Sequence, residues 1–276
     1  MEVAAIGRYQ IEGELAQGGM GIIFLARDPY IQRRVVVKVL TYSRTLDSMY
    51  RDFFQQEAEL IAALEHPCIV PVYDFGWYGQ QPYIVMRHMA GGSLADRLRK
   101  EELKLTEIAH VLKRIAEALD AAHARGIVHR DVKPSNFLFD SAGEIFLSDF
   151  GIAKSRAVKD DEGLWLIGTP AYMSPEQVLG GAVDGRADVS ALGVVLFRLL
   201  TGRLPFSADS VTALINAHVE APIPDIRSLK DKLPAIWQEV VTKAMAKDPA
   251  ERYATAGEFA REVAEVVSGK WYLRRL

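Results

Sequence analysis

The sequence predicts an α+β fold in which an antiparallel sheet with one helix precedes a mainly helical part. Apolar residues alternate along residues 9–39, which is the period-two pattern of strands. Along residues 108–119 apolar residues recur instead at helical spacing. Between these regions, Ser93 and Asp96 match the capping box that begins a helix, so the boundary between the two parts is expected near residues 90–93.

Composition narrows the class of protein. The chain has 276 residues, which allow one or two lobes, and its net charge of -3 argues against binding to nucleic acid or a membrane surface through charge. One cysteine, Cys68, excludes an internal disulfide framework and fits a reducing, cytoplasmic compartment. No signal peptide is predicted, and the most apolar window, residues 189–200, is too short to span a bilayer.

Five strands are predicted for the sheet. Three lie in residues 9–39, and residues 69–73 and 82–89 supply two more. The residues that alternate in the first three strands are Tyr9, Ile11, Ile23, Leu25, Val35, Val37 and Val39.

A glycine cluster, AQGGMG, lies between the first two strands at residues 16–21. Gly18, Gly19 and Gly21 carry no side chain, so backbone N–H groups there could approach phosphate oxygens closely. A hairpin turn would have the same composition, and the cluster by itself is weak evidence for a phosphate site.

Two charged residues lie in apolar surroundings near the end of this region. Lys38 follows Val35, Val36 and Val37 in a strand without other charge. The next helix carries Glu57 on an apolar stripe, and an inward-facing carboxylate needs a cation. The residues predicted to form that stripe are Phe53, Leu60, Ile61 and Leu64.

The strongest candidates for a functional site are the polar side chains in the segment 127–139 (IVHRDVKPSNFLF). Asp131, Lys133 and Asn136 lie within six positions between apolar runs, and Asp149 follows another short apolar strand. A hairpin of the two strands could bring all four groups to one cleft. Two acids and an amide suit a metal that bridges a polyphosphate. Each residue alone could belong to a solvated turn, but the ensemble favours a site.

The helical part has two clear helices. The first has one apolar face, reaches His123 and stops before Gly126. The second begins at Asp188 and is almost wholly apolar to residue 200, so it is expected to be buried on all sides.

The runs HRDVKPSN, LSDFG and GTPAYMSPE resemble the motifs of eukaryotic-type (Hanks-type) serine/threonine protein kinases, and the first run is most similar to the bacterial branch. The resemblance extends over about residues 9–267. It implies a bilobal protein kinase fold, with an N-lobe at residues 1–89, a C-lobe at 90–268 and a basic, aromatic tail at 269–276. It also implies ATP and Mg²⁺, or Mn²⁺, as cofactors, and protein Ser/Thr hydroxyls as acceptors.

The resemblance assigns the catalytic roles. Asp131 would be the base that takes the substrate hydroxyl proton, Lys133 would steady the transferring phosphoryl group, and Asn136 and Asp149 would hold the metal. The nucleotide-binding residues that it implies are Leu15, Ala16, Gln17, Gly18, Gly19, Met20, Gly21, Ile22, Ile23, Val36, Lys38, Glu57, Met86, Arg87, Met89 and Leu138.

Within this set the resemblance gives three finer expectations. Lys38 would pair with Glu57 and hold the α- and β-phosphates. Met86 would be the gatekeeper, and the backbone of Arg87 and Met89 would bond the adenine edge.

The resemblance also covers the substrate platform and its supports. Asp188 would cap backbone amides of the catalytic loop, and Arg252 would pair with Glu176. Thr169 would bond Asp131 and Lys133. Arg130 would pair with a phosphate or an acid of the activation segment. Since that segment has Ser155 as its one hydroxyl between residues 150 and 168, we hypothesise that the acids at 160–162, with packing by Leu164 and Trp165, order it without phosphorylation. A solvated acidic loop is the alternative.

Two other functions are compatible with parts of the pattern. A kinase-fold binding module without turnover is favoured only by Ala16, Val36 and Arg87, where the family usually has glycine, alanine and an acid. A small-molecule kinase would share the base and the metal residues but not the GTPAYMSPE platform. The protein substrate, the activating signal, the oligomeric state and any regulatory partner are not predicted.

Overall fold

The computed structural model describes residues 4–18, 21–40, 48–150, 159–160, 163–164 and 170–271. Its first part is an antiparallel sheet with strand order β1-β2-β3-β4-β6-β5. The strands are β1 (Ala5–Ile6), β2 (Tyr9–Gly18), β3 (Gly21–Asp28), β4 (Arg33–Leu40), β5 (Val72–Tyr78) and β6 (Gln81–Arg87).

The prediction of an antiparallel sheet is confirmed, but the number of strands and the start of one strand need correction. The sheet has six strands rather than five, because β1 pairs with β2 through Ile6 opposite Tyr9, and both side chains are buried. The strand predicted at residues 69–73 begins only at Val72. Ile69 instead bridges Leu147 of the helical part, so this segment serves both parts of the molecule.

The two faces of the sheet differ in burial. One face forms a small core of its own, composed of Ile6, Tyr9, Phe24, Ala26, Val35, Val37, Val39, Tyr83 and Val85. Ile23 and Leu25, which the alternation places on one side of β3, lie on the opposite face and are half-buried. They pair there with Lys38 and Val36, respectively. This second face therefore carries Ile23, Val36 and Lys38, three of the residues predicted to bind nucleotide.

Helix α1 (Ser48–Ala62) packs on the sheet through Phe54, Ala58 and Ile61, which are spaced at i, i+4 and i+7. The prediction of a buried side chain is wrong for Leu60, which is 54% exposed because it does not lie on the face of α1 that packs on the sheet. The side chain of Phe53 lies outside the described residues. Glu57 is half-buried at the edge of the stripe.

The second part is mainly helical, which confirms the α+β prediction. Its helices are α2 (Leu94–Leu98), α3 (Leu105–His123), α4 (Pro175–Leu179), α5 (Gly185–Thr201), α6 (Val211–Glu220), α7 (Ile226–Leu229), α8 (Ile236–Ala244) and α9 (Ala256–Val267). Its strands form two pairs, β7 (Phe137–Phe139) with β8 (Ile145–Leu147) and β9 (Lys159–Asp160) with β10 (Gly163–Leu164).

Helix α5 lies at the centre of the second part, and nearly all of its residues are buried, as the sequence predicts. Helix α3 packs its apolar face on α5 and ends at His123, also as predicted. Hairpin β7–β8 lies against α3, at the side that faces the sheet. Within the described residues, no helix combines the length and apolarity that crossing a membrane requires.

Candidate active site

The loop between α3 and β7 is held by a buried carboxylate of α5. Asp188 is 1% exposed and accepts hydrogen bonds from the backbone N–H groups of His129 (2.9 Å) and Arg130 (2.8 Å). His123 Nε2 lies 2.7 Å from the same carboxylate. The predicted capping of the catalytic loop by Asp188 is therefore confirmed.

His129 joins this loop to the segment that carries Asp149. Its Nδ1 accepts from the backbone N–H of Asp131 (3.2 Å), and its Nε2 lies 2.9 Å from the carbonyl oxygen of Ser148. Because a carbonyl can only accept, Nε2 carries the proton. The ring is fully buried and lies 4.7 Å from that of Phe150. These contacts indicate that His129 has a structural role, which is to join the two segments.

Asp131 is surrounded by the two polar side chains that follow it. Lys133 Nζ lies 2.9 Å from Asp131 Oδ2. Asn136 Nδ2 donates both to the same oxygen (3.1 Å) and to the Asp131 carbonyl (2.8 Å). The residues 134–136 form a 3₁₀ turn, which folds Asn136 back onto the aspartate. The structure thus brings together the three residues that the sequence predicted from their spacing.

Asp149 lies next to this group because of the β7–β8 pairing. The Asn136 carbonyl accepts from both the N–H (2.9 Å) and the Oγ (3.1 Å) of Ser148. Asp149 follows directly, and its Oδ1 lies 2.8 Å from Lys38 Nζ. Lys38 comes from β4, so this ion pair joins the sheet to the segment that follows hairpin β7–β8.

The predicted Lys38–Glu57 pair stays a prediction. The contact that the structure gives for Lys38 is with Asp149, and both side chains are mostly buried there. Glu57 lies half-buried in α1.

Asn136 and Asp149 have the donor chemistry for a hard divalent cation. Because Asn136 Nδ2 is committed to Asp131, the oxygen of the amide is left as a ligand. Asp149 supplies carboxylate oxygens, which Mg²⁺ prefers. In the part of the chain that the structure describes, no three His, Cys, Asp or Glu side chains cluster as a cage. Two protein oxygens fit a metal that is completed by phosphates and water.

Three residues predicted to line an adenine pocket lie in the sheet and in hairpin β7–β8. Val36 lies directly opposite Met86 in the β4–β6 ladder, and Leu138 lies opposite Phe146 in the hairpin. The backbone N–H of Arg87 donates to the Pro71 carbonyl (3.0 Å). The predicted adenine contact of Arg87 is therefore restricted to its carbonyl group.

The glycine cluster forms the end of the β2–β3 hairpin. Gly21 has a φ of +144°, and a Cβ there would lie 2.0 Å from the Val39 carbonyl oxygen, so only glycine fits. Leu15, Ala16, Gln17 and Gly18 are exposed, Ile22 and Ile23 are half-buried, and Met89 is buried. The predicted contacts of Gly19 and Met20 lie outside the described residues.

The substrate platform is supported as predicted at one point. Arg252 forms a bidentate pair with Glu176, with distances of 2.6 Å and 2.8 Å. Other predictions for this region concern residues outside the described part, namely Thr169, Ser155, Trp165 and the acids at 161–162. The side chains of Asp160 and Leu164 also lie outside it.

Sequence reasoning missed two residues of this region. Ser148 carries the contacts to Asn136 and His129, and its only sequence signal is its position before Asp149. Asp140, in the turn after β7, lies 3.2 Å from Arg87 Nη2. The turn composition of residues 140–143 predicts a loop there but not a partner for Arg87.

A family model and curated relatives both match nearly the whole chain. The family model described as protein kinase domain matches residues 9–271. The serine/threonine-protein kinase PknJ of Mycobacterium tuberculosis is 40% identical over 271 residues, which are 95% of this chain and 46% of PknJ. PrkC of Bacillus subtilis is 36% identical over 261 residues, which are 93% of this chain and 40% of PrkC. The chain thus spans less than half the length of these curated relatives.

Solved structures give the same result. Two crystal structures of the kinase domain of M. tuberculosis PknI have TM-scores of 0.77 and 0.80 and sequence identities of 30% and 28%. The alignments cover 96% and 97% of this chain, and 99% and 100% of the PknI domain.

Proposed function

Because the chain belongs to the protein kinase domain family, among the bacterial serine/threonine kinases, we propose that it transfers the γ-phosphoryl group of ATP to Ser or Thr hydroxyls of protein substrates. The observation that carries this proposal is the arrangement of Asp131, which lies 2.9 Å from Lys133 Nζ and 3.1 Å from Asn136 Nδ2. This arrangement places a carboxylate, an ammonium group and an amide that could bind a metal next to one another.

The proposed reaction uses these groups as follows. Asp131 accepts the proton of the substrate hydroxyl, whose oxygen attacks the γ-phosphorus while the bond to the β-phosphate oxygen breaks. The products are ADP and a phosphoester. Lys133 stabilises negative charge on the transferring group, and its ion pair with Asp131 keeps that carboxylate oriented.

Nucleotide binding is assigned to both parts of the molecule. Lys38 holds the phosphates, and the adenine lies between Val36 and Leu138, with Met86 at the back of the pocket. The family uses a divalent metal with ATP, and we propose Mg²⁺ held by Asn136 and Asp149. When bound, it would neutralise charge on the β- and γ-phosphates.

The boundaries of the domain are also part of the proposal. We assign residues 1–89 to the N-lobe, 90–268 to the C-lobe and 269–276 to a tail. Use of ATP and of protein substrates would place this domain in the cytoplasm.

The Asp131→Asn variant tests the proposal. Turnover should fall by about 10²–10⁴-fold, the usual contribution of a general base, while nucleotide affinity stays nearly unchanged. The assay is transfer of labelled phosphate from ATP to a generic protein in the presence of Mg²⁺, followed by identification of the phosphorylated amino acids. A wild-type protein that binds ATP without transfer, or label found on tyrosine alone, would contradict the proposal.

A further inference from the structure

Arg87 ends β6 at the junction of the sheet with the helical part, where related kinases generally have an acid. Its Nη2 lies 3.2 Å from Asp140 Oδ2, and its Cζ lies 5.1 Å from the centre of the Phe146 ring. Asp140 follows β7 and Phe146 lies in β8. The Arg87 side chain therefore extends from the sheet to the catalytic hairpin.

Asp140 is a rigid partner for this arginine. Its Oδ1 accepts from the backbone N–H groups of Ala142 (2.9 Å) and Glu144 (3.0 Å), which closes the β7–β8 turn. The other oxygen is left to accept from Arg87. The Asp140 side chain is 12% exposed, so its charge is largely removed from water and benefits from a nearby cation.

The backbone beside this pair is tightly packed. Gly91 N–H donates to the Phe139 carbonyl, and Phe139 N–H donates to the Gly92 carbonyl, both at 2.8 Å. A Cβ on Gly91 would lie 2.5 Å from the Asp140 carbonyl oxygen. The segment that connects the two parts is thus bound to β7 by backbone hydrogen bonds after residue 90. The Arg87–Asp140 pair adds a side-chain contact before that residue.

The pair lies beside both walls of the proposed nucleotide pocket. Arg87 is opposite Val35 in the β4–β6 ladder and adjacent to the Val36–Met86 pair. Phe146, under the guanidinium, is opposite Leu138 in the hairpin. A change in the contact of Arg87 with the hairpin would shift one wall relative to the other.

We propose that Arg87 and Asp140 form an ionic clamp that sets the spacing of the adenine pocket, so that both are positioning residues for the nucleotide. The inference rests on the proposed function, since it assigns adenine to this pocket. The clamp lies away from Asp131 and Lys133. It therefore acts on nucleotide affinity rather than on the transfer step.

The main test is the affinity for ADP, measured by titration calorimetry, together with the KM for ATP and kcat. Arg87→Gln should weaken ADP binding and raise the KM by about threefold to tenfold, the effect expected for a partly exposed arginine bound to a mostly buried carboxylate. The kcat should change less than about twofold, since the side chain touches no reacting group. Because the pair is ionic and partly exposed, the difference should shrink at high salt.

A double-mutant cycle shows whether Arg87 and Asp140 affect ADP binding through their contact or independently of each other. Asp140→Asn removes the charge but keeps an oxygen for the two turn N–H groups, so the hairpin should fold. The Arg87→Gln/Asp140→Asn variant should bind ADP no more weakly than the poorer single variant. Arg87→Lys should recover part of the affinity, because it keeps the charge but loses the planar fork.

Lys230→Gln is a control for the loss of a surface cation, since its partner Glu102 is 77% exposed, against 12% for Asp140. Lys230 pairs with Glu102 at 3.0 Å, and its side chain is 39% exposed, against 38% for Arg87. The pair lies in the helical part and involves none of the residues assigned to nucleotide binding, so its loss should leave ADP affinity unchanged.

Three outcomes would overturn the clamp: equal ADP affinity of Arg87→Gln and wild type, additive losses in the double variant, or the same loss in Lys230→Gln. Since ADP binding requires no transfer, these outcomes are distinct from failure of the proposed function. A wild type that binds ADP but phosphorylates no protein would refute that function and still allow the clamp to be tested.

Discussion

Arg130 and Asp149 both have positive φ angles, +61° and +62°, although neither is glycine. Such a conformation costs of the order of 1–3 kcal/mol for each residue and persists only where the surroundings impose it. For Arg130 the surroundings are Asp188, which accepts from its N–H, and Gln177, which donates to its carbonyl. Asp149 is held by the Ser148–Asn136 contacts before it and by Lys38. The positive φ gives both side chains a direction that regular helix or strand backbone would not give them, and the Asp149 carboxylate meets Lys38.

His218 of α6 is a buried residue with no assigned role in the proposed reaction. It is 3% exposed, and its ring packs edge-on against Phe206 at 5.0 Å. Its Nε2 has no hydrogen-bond partner among the residues that the structure describes. Burial and the nearby Lys247 ammonium lower the pKa of His218 to about 4.

This lowered pKa predicts a loss of stability in mild acid. As the pH falls below about 6.5, the unfolded chain binds a proton at this histidine while the folded chain does not, so the free energy of unfolding decreases until the pH approaches 4. At pH 5 the expected loss is about 2 kcal/mol. His218→Leu should lack this loss, which urea unfolding at pH 7.5 and pH 5 would measure.

The comparison variant is His110→Leu, which removes an exposed histidine of α3. If the stability of His218→Leu fell between the two pH values by as much as that of wild type, the buried histidine would not be the cause.

At the scale of elements, the periodicity of apolar residues predicted the positions of the strands and helices better than it predicted which of their faces are buried. Val35, Val37 and Val39 are buried, while Ile23 and Leu25 lie on the opposite side of the sheet. Both faces of β3 are partly covered, so alternation of apolar residues indicates a strand but does not say which face belongs to the core.

The start of α9 depends on a residue from another helix. Asp120 of α3 accepts from the N–H groups of Ala256 (3.0 Å) and Gly257 (2.9 Å), while Thr255 Oγ1 accepts from Glu258 N–H (3.1 Å). A helix N-terminus has unsatisfied N–H groups and a partial positive charge, which a carboxylate offsets. Asp120 therefore joins α3 to α9 through a cap that is remote in sequence.

We expect Asp120→Ala to lower the free energy of unfolding by about 1–3 kcal/mol, because two N–H groups lose their acceptor. Asp120→Asn should cost less, since it keeps one acceptor oxygen. Urea unfolding measures both, and Thr255→Ala, which removes the local cap of the same helix, serves as a reference. An Asp120→Ala variant within about 0.5 kcal/mol of wild type would show that the contact contributes little.

At the scale of the whole molecule, Arg252 connects four segments of the helical part. Its five N–H groups donate to both carboxylate oxygens of Glu176 and to the carbonyls of Arg186, Ala246 and Lys247, at distances of 2.6–3.2 Å. The side chain is fully buried. All donors of the guanidinium are thus satisfied without water.

Arg252→Ala should lower the free energy of unfolding by about 3–5 kcal/mol, because Glu176 would remain buried without its cation. Arg252→Lys should recover only a part, since an ammonium cannot form the bidentate pair. The double change Arg252→Met with Glu176→Leu should cost less than Arg252→Ala, because no buried charge is left unpaired. Chemical denaturation would measure all three, and a loss below about 1 kcal/mol for Arg252→Ala would refute this role of the pair.

The sequence by itself determined the class of fold, the family and the group Asp131, Lys133 and Asn136. These three residues lie within six positions, so a short turn is enough to bring them together, and their prediction needed no knowledge of distant contacts. The same holds for α5, whose nearly continuous apolar sequence can only be buried. The remaining catalytic, nucleotide-binding and metal-binding assignments stay predictions that depend on the family resemblance.

Apart from the Asp188 contacts and the Arg252–Glu176 pair, which the family resemblance implied, tertiary structure alone decided which groups far apart in the sequence meet. Lys38 lies beside Asp149, Arg87 beside Asp140, and Asp120 beside the start of α9. Periodicity states which residues share a face of a strand or helix, but it does not state which element lies opposite that face. The partner of a charged side chain is fixed by the packing of whole elements, and it becomes known only when the sheet, the hairpin and the helices are in place.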